Sequence, residues 1–115
     1  MYQTYMKGYL RLVKSLDENV GRLLTYLEES GLEENTVVIY TSDNGFFNGE
    51  HGFFNKMWMY ENALHIPMVV RYPGLVQEGS TNDRLVSMLD MAPTFLDLAG
   101  AEIPGDMQGE SFLPL

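Results

Sequence analysis

Residues 36–56 read TVVIYTSDNGFFNGEHGFFNK, and this stretch decides the fold. Its first six residues, Thr36-Val37-Val38-Ile39-Tyr40-Thr41, are β-branched or aromatic and lack polar alternation, the pattern of a strand covered on both faces. The run stops at Ser42-Asp43-Asn44-Gly45, four turn-forming residues that set a carboxylate beside an amide. In an open parallel sheet the ligand crevice lies beyond the carboxyl ends of the strands, so a strand here delivers Asp43 and Asn44 to a site. Gly45, Gly49 and Gly52 let the following loop fold back closely and present His51 and Lys56 to the same neighbourhood.

Upstream of this stretch, Tyr9, Val13, Leu16, Val20, Leu23, Leu24 and Leu27 recur at steps of three and four, which predicts an amphipathic helix from Tyr5 to Ser30. Gly31 supplies its stop, and Gly8 and Gly21 either weaken it or permit close packing. Downstream, Met57 to Leu64 is expected to form a short helix. Ile66 to Tyr72 is expected to form a second buried strand, with Pro67 at its start and Pro73-Gly74 at its end. Leu75 to Asp83 reads as a surface loop and Arg84 to Leu89 as a short extended segment. Asp90 is the expected N-cap of a last helix that has Pro93 in its first turn and ends at Gly100. Ala101 to Leu115 shows no periodicity and needs a neighbouring surface to be ordered. Two parallel strands with two or three helices do not complete a doubly wound sheet, since the strand edges stay unpaired. Residues 1–115 are therefore expected to be part of a larger α/β domain.

Composition narrows the chemistry. At 115 residues the chain is the size of one small domain with one core. Seven basic against sixteen acidic residues give a net charge of -9, which disfavours nucleic acid and anionic membrane surfaces as partners. The absence of cysteine excludes disulfides, thiolate metal sites and a cysteine nucleophile within these residues. Lys7, Arg11 and Lys14 interrupt the N-terminal segment, which has no continuous apolar core of a signal peptide or membrane span. Either the protein is cytoplasmic, or any targeting segment is expected outside these residues.

Asp43 and Asn44 offer only oxygen ligands, the kind that hard cations such as Ca²⁺ or Mg²⁺ prefer, although Ser-Asp-Asn-Gly is also an ordinary turn. Lys56 lies in Phe53-Phe54-Asn55-Lys56-Met57-Trp58, where an ammonium group is partly desolvated and seeks an anion; the alternative is a lysine whose stem runs over aromatic rings to solvent. His51 and His65 are read as structural, and Ser42 lacks the setting of a nucleophile. The Phe46/Phe47 and Phe53/Phe54 pairs are expected to pack the core or seal the loop.

In order along the chain stand Asp17-Glu18-Asn19-Val20-Gly21-Arg22-Leu23-Leu24, Asn35 to Gly45, and Gly49-Glu50-His51-Gly52 with Lys56. Ile66-Pro67 with Tyr72-Pro73-Gly74, Asp90-Met91-Ala92-Pro93-Thr94, and Asp106 to Ser111 follow. With these blocks the whole chain resembles the C-terminal part of the catalytic domain of type I sulfatases, of the alkaline-phosphatase-like superfamily. The resemblance implies an α/β/α sandwich with a mainly parallel sheet, and hydrolysis of sulfate esters of glycans or aryl sulfates. It implies Ca²⁺, in preference to Mg²⁺, on Asp43 and Asn44, and a sulfate-contacting, catalytic Lys56. The family's nucleophile is a formylglycine made from Cys or Ser in a C/S-x-P-S-R motif, which is not found here; nor is the aspartate pair that completes the metal shell. The 115 residues alone are therefore expected to be inactive, with the rest of the catalytic domain, or a second copy meeting exposed strand edges, as macromolecular partner. By resemblance the complete protein is expected to be periplasmic, secreted or lysosomal. The alternatives are a phosphodiesterase or phosphonate hydrolase of the same superfamily, and a non-catalytic calcium-binding module.

Overall fold

The computed structural model describes residues 1–113, so the expected tail is seen only as far as Leu113, with Pro114 and Leu115 outside the described residues. The described residues divide into two compact units, 1–41 with 67–78, and 42–66 with 79 onward. The architecture is mixed α/β, with helices α1 (Tyr2–Glu29), α2 (Glu61–Leu64) and α3 (Met91–Leu98), and strands β1 (Val38–Thr41), β2 (Phe47–Asn48), β3 (Phe54–Asn55) and β4 (Met68–Arg71). No helix among the described residues is long and apolar enough to cross a membrane.

In the first unit α1 starts three residues before the expected Tyr5 and ends at Glu29. Gly31, at φ +65°, closes it: its N–H donates to the Glu28 carbonyl at 3.0 Å and Leu32 N–H to the Leu27 carbonyl at 2.9 Å. The apolar stripe is real, but only its last turns are covered. Leu27 is buried and Val20 and Leu24 are half-buried, whereas Tyr9, Val13, Leu16 and Leu23 are exposed. Gly8 and Gly21 have nothing within 4 Å of an added Cβ, so among the described residues neither glycine serves close packing.

β1 pairs with β4, and the pair runs antiparallel, with Val38 opposite Arg71 and Thr41 opposite Met68. This corrects the expectation of two parallel strands: hydrophobic runs without alternation mark cover on both faces, and that cover says nothing about strand direction. The cover itself is uneven. Ile39 and Val70 are half-buried on one face, while Tyr40 and Val69, opposite each other on the other face, are exposed. The Arg71 guanidinium pairs with the Glu33 carboxylate in the short 3₁₀ turn Glu33–Asn35 and ties β4 to the approach of β1.

In the second unit β2 and β3 form a small antiparallel hairpin, Phe47 opposite Asn55 and Asn48 opposite Phe54. Within the phenylalanine pairs one ring of each turns inward, as the two-residue period of a strand requires. Phe47 is 0% exposed, with Phe53 half-buried, while Phe46 and Phe54 face out. Phe47 is the hub of a ring cluster, meeting Phe53 at 5.8 Å, Tyr60 at 6.1 Å and His51 at 6.4 Å, each near edge-on. The helix expected from Met57 is only the four-residue α2, since Met57 to Tyr60 are irregular.

Asp90 stands at the N-cap of α3 as expected, but its side chain does not cap the helix. It serves the 3₁₀ turn before it, Met88–Asp90, which Ser87 caps: Ser87 Oγ accepts from Leu89 N, and the Asp90 carboxylate accepts from Ser87 N at 2.7 Å. This reciprocal pair also shortens the segment that was expected to be extended through Leu89. The aperiodic tail finds its surface on α3. Glu110 N donates to Asp90 Oδ1 at 2.9 Å, Phe112 N to Thr94 Oγ1 at 3.0 Å, and Ser111 Oγ to Asp97 Oδ2 at 2.6 Å. Thr94 and Pro93 are buried beneath it.

Candidate functional site

Asp43 and Asn44 follow β1 directly in the chain and belong, with His51 and Lys56, to the second unit. The turn that carries them is held by its own side chains. Ser42 Oγ donates to the Asn44 carbonyl at 2.8 Å, and Asn44 Nδ2 donates to the Gly45 carbonyl at 2.8 Å. With its nitrogen so engaged, the Asn44 amide turns its oxygen toward Lys56.

Gly45 fastens the turn to the far side of the loop. Its N–H donates to the Ala63 carbonyl at 2.8 Å, and a Cβ at Gly45 would stand 2.0 Å from the Asn62 carbonyl oxygen. Only glycine allows this approach, which makes residue 45 a steric requirement rather than a turn preference. The anchor on α2 is the element that the sequence did not disclose.

Lys56 follows β3. Asn55, at φ +78°, reverses the chain there, and its Oδ1 accepts from Lys56 N at 2.9 Å. The ammonium Nζ then donates to Asn44 Oδ1 at 2.7 Å and lies 3.9 Å from Asp43 Oδ2. A carboxylate, an amide oxygen and an ammonium twelve or thirteen residues apart in sequence thus meet at one place. The Asp43 contact is loose and exposed, so it orients charge more than it stabilises the fold. Around the trio the loop is set by left-handed backbone at Gly49, His51, Gly52 and Asn55. Glu50 braces it: the N–H groups of Glu50 and Asn48 hold its carboxyl below the ordinary carboxylate value.

His51 is stacked on Tyr60 at 5.3 Å with planes 21° apart. His65 is an exposed partner of Glu61 at 3.2 Å. Ser42 spends its hydroxyl within the turn.

Among the described residues no three His, Cys, Asp or Glu side chains cluster as a metal shell. Asp43 and Asn44 fit a hard cation in donor type, both being oxygen ligands. Two side chains fall short of the six to eight oxygens such an ion as Ca²⁺ takes, so a full shell needs further donors.

Comparison with known proteins identifies the family of the chain. Residues 49–115 match the family described as N-sulphoglucosamine sulphohydrolase, C-terminal. The chain is 52% identical over 114 residues to an N-acetylglucosamine-6-O-sulfatase of Bacteroides thetaiotaomicron, covering 99% of this chain and 20% of that protein. It is 40% identical over 107 residues to arylsulfatase K of Canis lupus familiaris, covering 93% of this chain and 20% of the relative. The chain therefore spans about a fifth of the length of these relatives. Among solved structures, one described as in complex with its substrate D-glucosamine-2-N,6-O-disulfate superposes with a TM-score of 0.94 at 52% identity, over 98% of this chain and 23% of that one. A phosphonate monoester hydrolase from Silicibacter pomeroyi superposes with a TM-score of 0.79 at 34% identity, over 85% of this chain and 19% of that one. The shared motifs from Gly49 onward, with the fold they generate, make the chain a member of the N-sulphoglucosamine sulphohydrolase C-terminal family of sulfatases.

Proposed function

We propose that residues 1–115 are the C-terminal portion of a sulfatase catalytic domain that hydrolyses sulfate esters of amino sugars, with Lys56 binding the sulfate and Asp43 and Asn44 contributing to a calcium site. The observation that carries this is the contact of Lys56 Nζ with Asn44 Oδ1 at 2.7 Å, which joins the anion-seeking group to the oxygen pair. The sulfatases among the relatives, one of them an N-acetylglucosamine-6-O-sulfatase, support a sulfated glucosamine as substrate class and leave phosphonate ester hydrolysis the less favoured reading.

In this mechanism the ammonium of Lys56 donates to a sulfate oxygen and neutralises charge there as the ester S–O bond breaks. Asn44 holds the ammonium in place before substrate arrives, which removes part of the entropy of positioning it. Calcium, held in part by Asp43 and Asn44, would supply further positive charge to the sulfate. The formylglycine nucleophile, the remaining metal ligands and the parallel part of the sandwich would come from the rest of the domain. That same remainder would cover the outer faces of α1 and of the β1–β4 pair.

The proposal is tested in the complete enzyme that carries this segment. Lys56→Ala should lower turnover of glucosamine 6-sulfate by orders of magnitude while the melting temperature holds. Unchanged turnover removes Lys56 from the reaction.

A further inference from the structure

Apart from the site itself, the densest grouping in the second unit is the ring cluster around Phe47, and one of its pairs brackets the lysine. Phe53 and Trp58 stack with centroids 5.0 Å apart and planes 22° apart. These two rings stand at the ends of the segment Phe53-Phe54-Asn55-Lys56-Met57-Trp58, so their contact closes the loop on which Lys56 is carried. One end of the clasp is anchored, because Phe53 packs edge-on against the wholly buried Phe47 at 5.8 Å. The other end, Trp58, is 51% exposed and does little to fill a core.

Pairing with β2 holds Phe54 and Asn55 on the near side of the lysine, whereas Met57 to Tyr60 on its far side are irregular and are held at Trp58 by the stack. The lysine side chain is half exposed, and its backbone N–H is taken by the neighbouring Asn55 side chain. A four-carbon stem on a segment held at one end only samples many positions, and the ammonium reaches Asn44 reliably only if the far end is held as well.

We propose that Trp58 is a positioning residue: stacked on Phe53, it clasps the Lys56 loop and keeps the ammonium in register with Asn44. Trp58 acts through Lys56. The proposal rests on the sulfate-binding role given to Lys56 above.

The test is a double-mutant cycle in the complete enzyme, reading kcat and KM for glucosamine 6-sulfate together with the melting temperature of each variant. Trp58→Ala should lower kcat by up to about 100-fold, the scale of a misplaced catalytic group. Trp58→Phe, which keeps a stacking ring, should recover most of that loss. In a Lys56→Ala background Trp58→Ala should cause no further loss, because there is no ammonium left to position. A structural role alone would lower the rate by the same factor in both backgrounds. That additivity, an intact kcat in Trp58→Ala, or a Trp58→Phe variant as impaired as Trp58→Ala overturns the proposal. If Trp58→Ala does not fold, Trp58→Leu against Trp58→Phe runs the same cycle, with leucine expected to behave as the unclasped loop. Failure of the underlying reading is separately visible: an unmodified enzyme that does not hydrolyse glucosamine 6-sulfate refutes the sulfatase assignment, and a Lys56→Ala variant that retains turnover refutes the role of Lys56.

Discussion

Replacing Gly45 by alanine measures how tightly the Asn44 turn is seated. The added Cβ would lie 2.0 Å from the Asn62 carbonyl oxygen, 2.9 Å from its carbon and 3.2 Å from Ala63 Cα. All three are backbone atoms, so no side-chain rotation relieves the overlap and the turn has to move away from α2. That movement breaks the 2.8 Å hydrogen bond from Gly45 N to Ala63 O. Overpacking costs about 1–3 kcal/mol and a lost hydrogen bond about 1 kcal/mol, together about 2–4 kcal/mol. The melting temperature of the complete enzyme should fall by several degrees, measured by circular dichroism. Gly8→Ala, in α1 with open space around it, is the internal control and should gain up to about 1 kcal/mol. A Gly45→Ala protein that melts with the wild type would refute the close approach, and with it the idea that glycine is required for steric reasons at the site.

Other outcomes follow from the same geometry. Asp43→Ala should abolish the rise in melting temperature that added calcium gives the complete domain; a rise that survives the substitution takes Asp43 out of the metal shell. Asp90 titrates below its ordinary 3.8, chiefly because the Ser87 and then the Glu110 N–H groups bond its ionised form. Its folded value being the lower one, its contribution is complete above 3.8 and fades as the pH falls through the folded value. The protection of the Glu110 amide, its exchange rate taken relative to the intrinsic rate at each pH, should therefore fall on acidification in the wild type, whereas Asp90→Asn should already lack that protection at neutral pH and show no such step.

The parts of the fold that rest on one dominant local signal were legible. The three-and-four spacing through Leu27 predicted α1, and Gly31 and Gly100 predicted where α1 and α3 stop, because in each case a positive φ admits the closing hydrogen bonds. The ends of β1 and β4 were nearly right, but their antiparallel pairing was not, since strand direction is set by the connection and not by the hydrophobic run. The hairpin of β2 and β3 was missed: two residues per strand give no period to detect, and its turn depends on His51 and Asn55 taking left-handed backbone normally left to glycine. The Ser87 cap of the 3₁₀ turn before α3 carries a detectable signal, Ser-x-x-Asp, next to the stronger helix-start signal of Pro93. At the site, the sequence brought Asp43, Asn44 and Lys56 into one neighbourhood through strand end and glycine spacing. It had no means of revealing that α2 supplies the Asn62–Ala63 wall on which the turn rests, because that contact joins residues about eighteen apart without a motif.

The hydrogen bond from Gly45 to Ala63 has a bearing on how the protein ages. An asparagine followed by glycine deamidates when the glycine nitrogen attacks the asparagine side-chain carbon, a ring closure that no side chain obstructs. Here that nitrogen is committed to the Ala63 carbonyl, and the Asn44 amide is pinned by its own bond to the Gly45 carbonyl. The folded turn thus shelters Asn44 from spontaneous conversion to aspartate or isoaspartate, either of which would set a second negative charge against Lys56. Molecules stored partly unfolded would lose that shelter, and this residue would be among the first to change.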